Sequence, residues 1–123
     1  MASDGFDFEG LVRAGYPLRR FEAGERIFAV GDEGSTMYAV RSGSVSIISA
    51  GEVLETVHPG ETFGELALID GSPRGANAVA REATEVAVID ERAFNYLIER
   101  KPTFALDLMR RLSRRLRRMN ENR

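Results

Sequence analysis

The chain has 123 residues, of which 43% are hydrophobic and 29% are charged, as in an ordinary soluble domain. This length predicts a single domain, residues 1–123, with one modest core, and it excludes two independent cores. No apolar run is long enough to span a membrane, no secretory signal pattern is visible, and no cysteine is present for a disulfide or a thiolate metal site. We therefore expect a cytoplasmic protein without membrane insertion.

The formal net charge of −2 hides an uneven distribution along the chain. Residues 1–109 contain 10 basic and 18 acidic side chains, whereas residues 110–123 contain 7 basic and 1 acidic side chain. A basic segment of this kind can bind nucleic acid or an acidic membrane surface. We interpret it mainly as the solvated face of a helix, whose last turns favour arginine because of the helix dipole.

The first two thirds of the chain have β character. Residues 1–16 form a polar N-terminal segment with a short helix predicted at Phe8–Ala14. Residues 18–90 contain short runs of valine, isoleucine, phenylalanine and tyrosine between glycine turns, a spacing typical of a small sandwich or barrel. In one of these runs, alternation places Val45 and Ile47 inside. Strands are predicted at Leu18–Phe21, Arg26–Val30, Thr36–Ser42, Ser44–Ser49, Val53–His58, Ala76–Arg81 and Glu85–Asp90.

Residues 91–119 have a helical period instead. Asp90 is a good N-cap for a helix at Glu91–Arg100, and Pro102 starts a second helix at a position where its missing N–H costs little. Phe104 and Leu108 are predicted to pack on the β-structure. Five further apolar side chains of this helix recur at a 4-3-4-3 spacing, which is typical of ordinary core but also predicts a parallel homodimer. They are Ala105, Met109, Leu112, Leu116 and Met119.

The rest of the chain is organised around residues 63–80, called here the cassette, which read FGELALIDGSPRGANAVA. Between Gly64 and the DGSP turn there is room for about one and a half helical turns. At the start of such a helix the amides of Leu66 and Ala67 have no intrahelical partners and can face an anion. Arg74 returns across the turn toward the same spot, and a guanidinium beside free amides matches a phosphate.

Glu65 is unexpected in such a site, because a carboxylate beside a phosphate is repelled unless it has a partner of its own. A ribose hydroxyl would be one, since an ionised carboxylate only accepts hydrogen bonds. Gly64 and Gly75 carry no side chain, so ligand atoms can approach the backbone closely. The simpler alternative is a structural ion pair between Glu65 and Arg74.

The cassette resembles the phosphate-binding cassette of the cyclic nucleotide-binding domain family, which includes kinase A regulatory subunits and the catabolite activator protein. The matching residues are Phe63, Gly64, Glu65, Leu66, Ala67, Leu68, Arg74, Ala76 and Val79. Upstream, the series from Phe21 through Gly31-Asp32-Glu33-Gly34 to Val45 resembles the glycine-punctuated β-roll of the same family. The resemblance implies a mainly β fold with flanking helices: a β-roll of the jelly-roll type, a short cassette helix and two C-terminal helices.

The resemblance also implies a function: a non-catalytic sensor of a cyclic purine mononucleotide, with no further cofactor. Arg74 would pair with the exocyclic phosphate, supported by the backbone amides of Leu66, Ala67, Gly75 and Ala76. Glu65 would accept a hydrogen bond from the ribose 2′-hydroxyl. The last helix would close over the base and pass the signal on.

For the remaining pocket the sequence gives weaker indications. Phe28, Ile47 and Val57 are predicted to wall it, and family alignment brings Arg115, Met119 and Asn120 near the base. Where this chain has Gly75, the family usually has alanine, serine or threonine, and the hydroxyl favours guanine. Its absence favours cAMP over cGMP, although Asn77 and Asn120 could supply other polar contacts.

Other functions are less well supported. A metal-dependent cupin enzyme usually needs two or three histidines, and this chain has only His58, at a predicted strand end. A transcription factor of the family carries a helix-turn-helix after the last helix, where this sequence stops, so nucleic-acid binding is not expected. A fragment of a larger regulator, such as a transcription factor or channel, stays open, as does an orphan β-roll that has lost its ligand.

Overall fold

The computed structural model describes residues 6–121, and the side chains of residues 6–118, as two four-stranded antiparallel sheets with helices around them. The bounds in chain order are α1 Phe8–Arg13, β1 Leu18–Phe21, β2 Arg26–Phe28, β3 Met37–Ser42, β4 Val45–Ser49, β5 Glu52–Val57, β6 Thr62–Phe63, α2 Glu65–Asp70, β7 Asn77–Ala80, β8 Thr84–Ile89, α3 Glu91–Arg100 and α4 Thr103–Glu121.

One sheet has the strand order β1-β8-β3-β6 and the other has the order β2-β7-β4-β5. Their facing surfaces enclose a core of apolar side chains that both sheets contribute, which is the interior of a β-roll. In the second sheet, Val45 pairs with Val57 and Ile47 with Glu55, so the four side chains follow one inner face. The roll core consists of Phe21, Tyr38, Val40, Val45, Val57, Phe63, Ala78, Ala80 and Val86.

A second core lies on the outer face of the first sheet, where three helices cover it. Met37 and Ala39 of β3 point toward the helices, whereas Tyr38 and Val40 point into the roll, so this strand is buried on both sides. Burial on both faces explains why β3 reads as a continuous apolar run rather than as an alternation. The helical contribution comes from Phe8 and Leu11 of α1, Ala93 and Leu97 of α3, and Phe104 and Leu108 of α4.

The helix ends follow the local sequence. Asp7 caps α1 by accepting from the Gly10 amide at 2.9 Å, and Asp90 caps α3 by accepting from the Ala93 amide at 2.9 Å. Pro102 directly precedes α4, as its missing N–H favours. In the part of the chain that the structure describes, no helix is both long and apolar enough to cross a bilayer.

The predicted fold class, a β-roll with flanking helices, is confirmed, and each predicted strand is present with ends shifted by no more than two residues. The sequence misses β6, because two residues leave no alternation to detect. Phe104 and Leu108 pack on the sheet as predicted. The division of the chain into residues 1–16, 18–90 and 91–119 stays a prediction.

Candidate functional site

A cavity of about 500 Å³ opens where the cassette meets β4, β5 and α4. Its volume lies in the range of small-molecule sites, and its wall is largely apolar with a few charged groups, which is typical of such sites. The residues that line it are Phe28, Ile47, Leu54, Glu55, Phe63, Gly64, Glu65, Leu66, Ala67, Pro73, Arg74, Gly75, Ala76, Arg115 and Arg118.

Two left-handed glycines delimit the short cassette helix. Gly64 precedes α2 with φ of 78°, and Gly71 follows it with φ of 74° and donates its amide to the Ala67 carbonyl at 3.0 Å. These conformations are strained for any residue with a side chain. The amide of Ser72 then donates to Asp70 Oδ1 at 2.9 Å in an Asx-type turn, and the Ser72 hydroxyl donates to the same oxygen. The hydrogen bond from the hydroxyl, followed by that from the amide, lowers the pKa of the Asp70 carboxyl. This turn reverses the chain and brings Arg74 back to the start of α2.

Arg74 is held at both its backbone and its side chain. Its amide donates to the Asp32 carbonyl at 2.8 Å, and its carbonyl accepts from the Gly31 amide at 2.7 Å. Its Nη1 donates to the Gly64 carbonyl at 3.0 Å, and its Nη2 donates to Thr36 Oγ1 at 3.3 Å. The guanidinium carbon also lies 4.2 Å from the centre of the Phe28 ring, a cation–π contact.

The charge of Arg74 has no carboxylate to balance it. The residue is only 6% exposed, and within the described part of the chain its guanidinium forms no salt bridge. A buried charge without a counter-ion is costly, and the neutral carbonyl and hydroxyl it contacts offset only part of that cost. The arrangement is therefore suited to an anion in the cavity.

Two glycines make room for this guanidinium. A Cβ on Gly64 would lie 2.9 Å from Arg74 Nη1, and a Cβ on Gly34 would lie 2.9 Å from Nη2. The sequence interpretation gave Gly34 only a role in a turn. No sequence signal distinguishes the two roles, because the contact joins residues 40 positions apart in the chain and depends on the fold. Gly75, by contrast, has nothing within 4 Å of its would-be Cβ.

Glu65 is the second buried charge of the cavity, at 2% exposure. Its Oε2 accepts from Arg115 Nη1 at 3.1 Å, whereas its Oε1 is buried without a hydrogen-bond partner among the described residues. Burial raises the pKa of this carboxyl, and the nearby charges of Arg115 and Arg111 oppose the rise. Glu65 thus pairs with α4 and not with Arg74, which corrects the alternative of a Glu65–Arg74 ion pair. Because buried polar atoms are normally hydrogen-bonded, Glu65 Oε1 can accept a hydrogen bond from a ligand.

Four charged residues connect α4 to the roll, and we call them the α4 charge network: Glu55, Glu65, Arg111 and Arg115. Arg115 Nη2 donates to Glu55 Oε1 at 2.7 Å, and Arg111 Nη2 donates to Glu55 Oε2 at 3.2 Å. Arg111 Nη1 also donates to the carbonyl and hydroxyl of Thr62, at 3.0 and 2.7 Å. One carboxylate of β5 therefore holds two arginines of α4 beside the cavity.

The sequence analysis missed Glu55 and Arg111. A signal for Glu55 was present, since it shares the inward face of its strand with Val57, where a carboxylate needs a partner. Arg111 gave no such signal, because it is one of several arginines in a run and only the packing of α4 distinguishes it.

The predicted site residues divide into three groups. Gly64, Glu65, Leu66, Ala67, Arg74, Gly75 and Ala76 all line the cavity, as do Phe28, Ile47 and Arg115. Val57 does not: it lies on the same face of β5 as Glu55 but further along the strand, fully buried in the roll core. The side chains of Met119 and Asn120 lie outside the described residues.

The structure also shows where the other polar candidates from the sequence lie. Asn77 Oδ1 accepts from the Val30 amide at 2.9 Å and so is already engaged in the roll. His58 is exposed just after β5, as predicted for a turn residue. No cluster of three or more potential metal ligands is found among the described residues.

Comparison with known proteins agrees with this geometry. Residues 18–101, from β1 to the end of α3, match the family model of the cyclic nucleotide-binding domain. The chain belongs to the cyclic nucleotide-binding domain family. The matched range contains the whole cassette and both sheets, whereas α4, with Arg111 and Arg115, follows it.

Among its relatives is the cyclic AMP receptor protein of Thermus thermophilus, 38% identical over 87% of this chain and 52% of the relative. Another is a cAMP-dependent protein kinase regulatory subunit of Yarrowia lipolytica, 36% identical over 65% of this chain and 21% of the relative. The crystal structure of Thermus thermophilus catabolite activator protein superposes with a TM-score of 0.79 at 34% identity, covering 98% of this chain and 60% of that one. The chain therefore spans between 21% and 60% of the length of these proteins.

The family resemblance inferred from the sequence is thus confirmed, together with the β-roll. The comparisons establish that this chain contains a cyclic nucleotide-binding domain and that its relatives include regulatory proteins.

Proposed function

We propose that this domain is a non-catalytic sensor that binds a cyclic purine mononucleotide in the 500 Å³ cavity, cAMP in preference to cGMP. The observation that carries the proposal is Arg74, a buried guanidinium that has no carboxylate partner among the described residues and lines a cavity of suitable size. Family membership and the cAMP-related names of two relatives support the same ligand class.

The phosphate would pair with Arg74. Of the five N–H donors of a guanidinium, two are engaged with Gly64 and Thr36, which leaves donors for an anion. The phosphate would also accept from the amides of Leu66 and Ala67 in the first turn of α2, and from those of Gly75 and Ala76. Donors with fixed positions bind an anion without the entropy loss of ordering them.

The ribose would satisfy Glu65. Its Oε1 is buried and unpartnered, and the 2′-hydroxyl of a ribonucleotide is a donor of the right kind. Because Oε2 remains on Arg115, the ligand and α4 would share one carboxylate. The occupancy of the cavity would then alter the electrostatic balance at α4, and the signal would leave through this helix as a population shift.

The preference for cAMP rests on the absence of a hydroxyl beside the base. Residue 75 is glycine, and the other side chains of the cavity wall include the apolar Ile47, Leu54 and Leu66. Gly75→Thr adds a hydroxyl at a position with free space and should shift the affinity ratio toward cGMP. An unchanged ratio would remove this basis for the preference.

We also propose a homodimer through α4. Met109 and Leu116 of the predicted seam are 57% and 61% exposed, so among the described residues nothing covers this apolar stripe. Sedimentation equilibrium should give a dimer that Leu116→Gln shifts toward monomer; a monomer at high micromolar concentration would contradict the proposal. The cytoplasmic location of the protein stays a prediction. Whether the domain acts alone or as part of a larger regulator is a separate question.

The central proposal is tested by calorimetric titration of the chain with cAMP, cGMP and 2′-deoxy-cAMP. We expect one site per chain, tighter binding of cAMP than of cGMP, and a loss of about tenfold without the 2′-hydroxyl, one hydrogen bond to a charged group. If none of the three binds at millimolar concentration, the domain is an orphan β-roll. Equal affinity for cAMP and its 2′-deoxy form would remove Glu65 from the proposed contacts.

A further inference from the structure

A second cavity, of about 520 Å³, lies between α4 and the end of β5 and adjoins the first. Its charged wall is mostly cationic, and we call it the basic groove: Arg111, Arg114, Arg115, Arg117 and Arg118 of α4, with His58 beyond β5. Arg114 and Arg117 line this groove but not the first cavity. The proposed sensor function gives the groove no role.

Four of the five arginines of the groove are arranged on one helical face, and Arg117 follows Arg114 by three residues. Positions 111, 114, 115 and 118 are separated by three, four and seven residues, which places their side chains together on α4. Like charges at this spacing repel each other and destabilise the helix. An anion that lies between them would remove this repulsion.

Two of the five arginines of the groove are paired with carboxylates among the described residues. Glu55 and Glu65 pair with Arg111 and Arg115. No carboxylate among the described residues lies within salt-bridge distance of Arg114, Arg117 or Arg118, and all three are exposed. The groove therefore offers three guanidinium groups on adjacent turns without a partner on the roll.

We propose that the basic groove binds a compact anion with two or more linked phosphate groups, either a nucleoside polyphosphate or a short inorganic polyphosphate. A guanidinium binds two phosphate oxygens at once, so three of them match several linked phosphates better than a single one. The groove is also large enough for a nucleotide-sized molecule.

The surroundings of the groove favour a compact anion over a long one. Glu55 and Glu61 lie at its wall, and residues 1–109 carry 18 acidic against 10 basic side chains. A nucleic acid that extends past α4 would be repelled by this acidic body, whereas a ligand contained in the groove would not.

The test is a titration of the full chain with inorganic tripolyphosphate, pyrophosphate and phosphate, and with ATP, at low ionic strength. We expect affinity to rise with the number of phosphates. Similar affinity for tripolyphosphate and ATP means that the groove recognises the phosphate chain alone. Tighter binding of ATP means that the ligand is a nucleoside polyphosphate. The double variant Arg114→Gln/Arg117→Gln should weaken tripolyphosphate binding at least about tenfold, the equivalent of one charge-assisted hydrogen bond.

The matched control is Arg20→Gln/Arg92→Gln, which removes the same charge from exposed positions on β1 and α3, away from the groove. We expect its tripolyphosphate affinity to stay within about twofold of the parent chain, since distant exposed charges are screened by salt. Equal losses in the two double variants would mean a nonspecific charge effect and would overturn the proposal. So would the absence of tripolyphosphate binding, or tighter binding of duplex DNA at equal phosphate concentration through Arg114 and Arg117.

Discussion

Arg74 and Arg115 line the same cavity, but the structure balances their charges differently. Arg115 shares Glu55 and Glu65, and its side chain remains 33% exposed. Arg74 is 6% exposed, and among the described residues its guanidinium contacts neutral groups: a carbonyl, a hydroxyl and two aromatic rings. A paired, half-exposed charge holds α4 to the roll, whereas a buried, unpaired charge is suited to binding. The pairing state of a buried arginine thus distinguishes a structural role from a ligand-binding one.

The largest expected effect comes from removing the unpaired charge. Arg74→Gln should weaken cAMP binding by a factor of tens to hundreds, because each charge-assisted hydrogen bond to the phosphate contributes about 1.5–3 kcal/mol. Arg74→Lys is the matched control, since it keeps the charge but loses the planar guanidinium. Its affinity for cAMP should lie between those of the parent chain and Arg74→Gln. Calorimetry measures all three proteins. Undiminished affinity in Arg74→Gln would show that the phosphate binds elsewhere.

Removing the paired charge should affect stability first. Arg115→Gln leaves the Glu65 carboxylate buried without its cation, so the free energy of unfolding should fall by about 1–2 kcal/mol. Arg110→Gln, on the same helix but exposed and paired only with Asp107 three residues away, should change it by less than about 0.5 kcal/mol. Urea unfolding at neutral pH gives both values. Equal losses would mean that the α4 charge network contributes nothing specific.

A smaller effect is expected from crowding the unpaired charge without removing it. Gly34→Ala places a methyl group 2.9 Å from Arg74 Nη2, so the guanidinium must shift by a few tenths of an ångström. We expect cAMP binding to weaken by about three- to tenfold, less than 1.4 kcal/mol. Gly75→Ala adds the same methyl group where nothing lies within 4 Å, and it should bind cAMP like the parent chain. The reverse order of effects would contradict the proposed position of Arg74.

The smallest effect concerns the pH dependence of stability. Because burial raises the pKa of Glu65 above 4.5, the folded state retains a proton that the unfolded state releases. Between the two pKa values the unfolding free energy should therefore decrease as pH rises, and this contribution is largest at acidic pH. Glu65→Gln cannot titrate and should flatten this part of the curve. Chemical unfolding of both proteins from pH 4 upward measures it; identical slopes would show that Glu65 does not titrate there.

Much of this molecule follows from local sequence patterns. The glycine-punctuated apolar runs predict all strands except β6, and Asp90 and Pro102 mark the helix boundaries because capping depends on neighbouring residues. Nine cassette residues, in 63–67 and 73–76, also line one cavity, since they are close in sequence and are joined by a single turn.

The contacts that the sequence could not give all join distant parts of the chain. Glu65 is matched by Arg115 and not by Arg74, Gly34 lies against the guanidinium, and Val57 falls in the core below the cavity. Each depends on how α4 or a neighbouring strand packs, which leaves no trace in local periodicity. An inward-facing carboxylate such as Glu55 is the exception, because its position in the strand alternation already requires a partner.

The most direct test of the account is a crystal structure of the chain saturated with cAMP. We predict that the Arg74 guanidinium lies about 2.7–2.9 Å from an exocyclic phosphate oxygen, the distance of a charge-assisted hydrogen bond, and that Glu65 Oε1 accepts from the ribose 2′-hydroxyl. A nucleotide whose phosphate lies outside the cavity, or an Arg74 side chain that turns away from a bound phosphate, would contradict it.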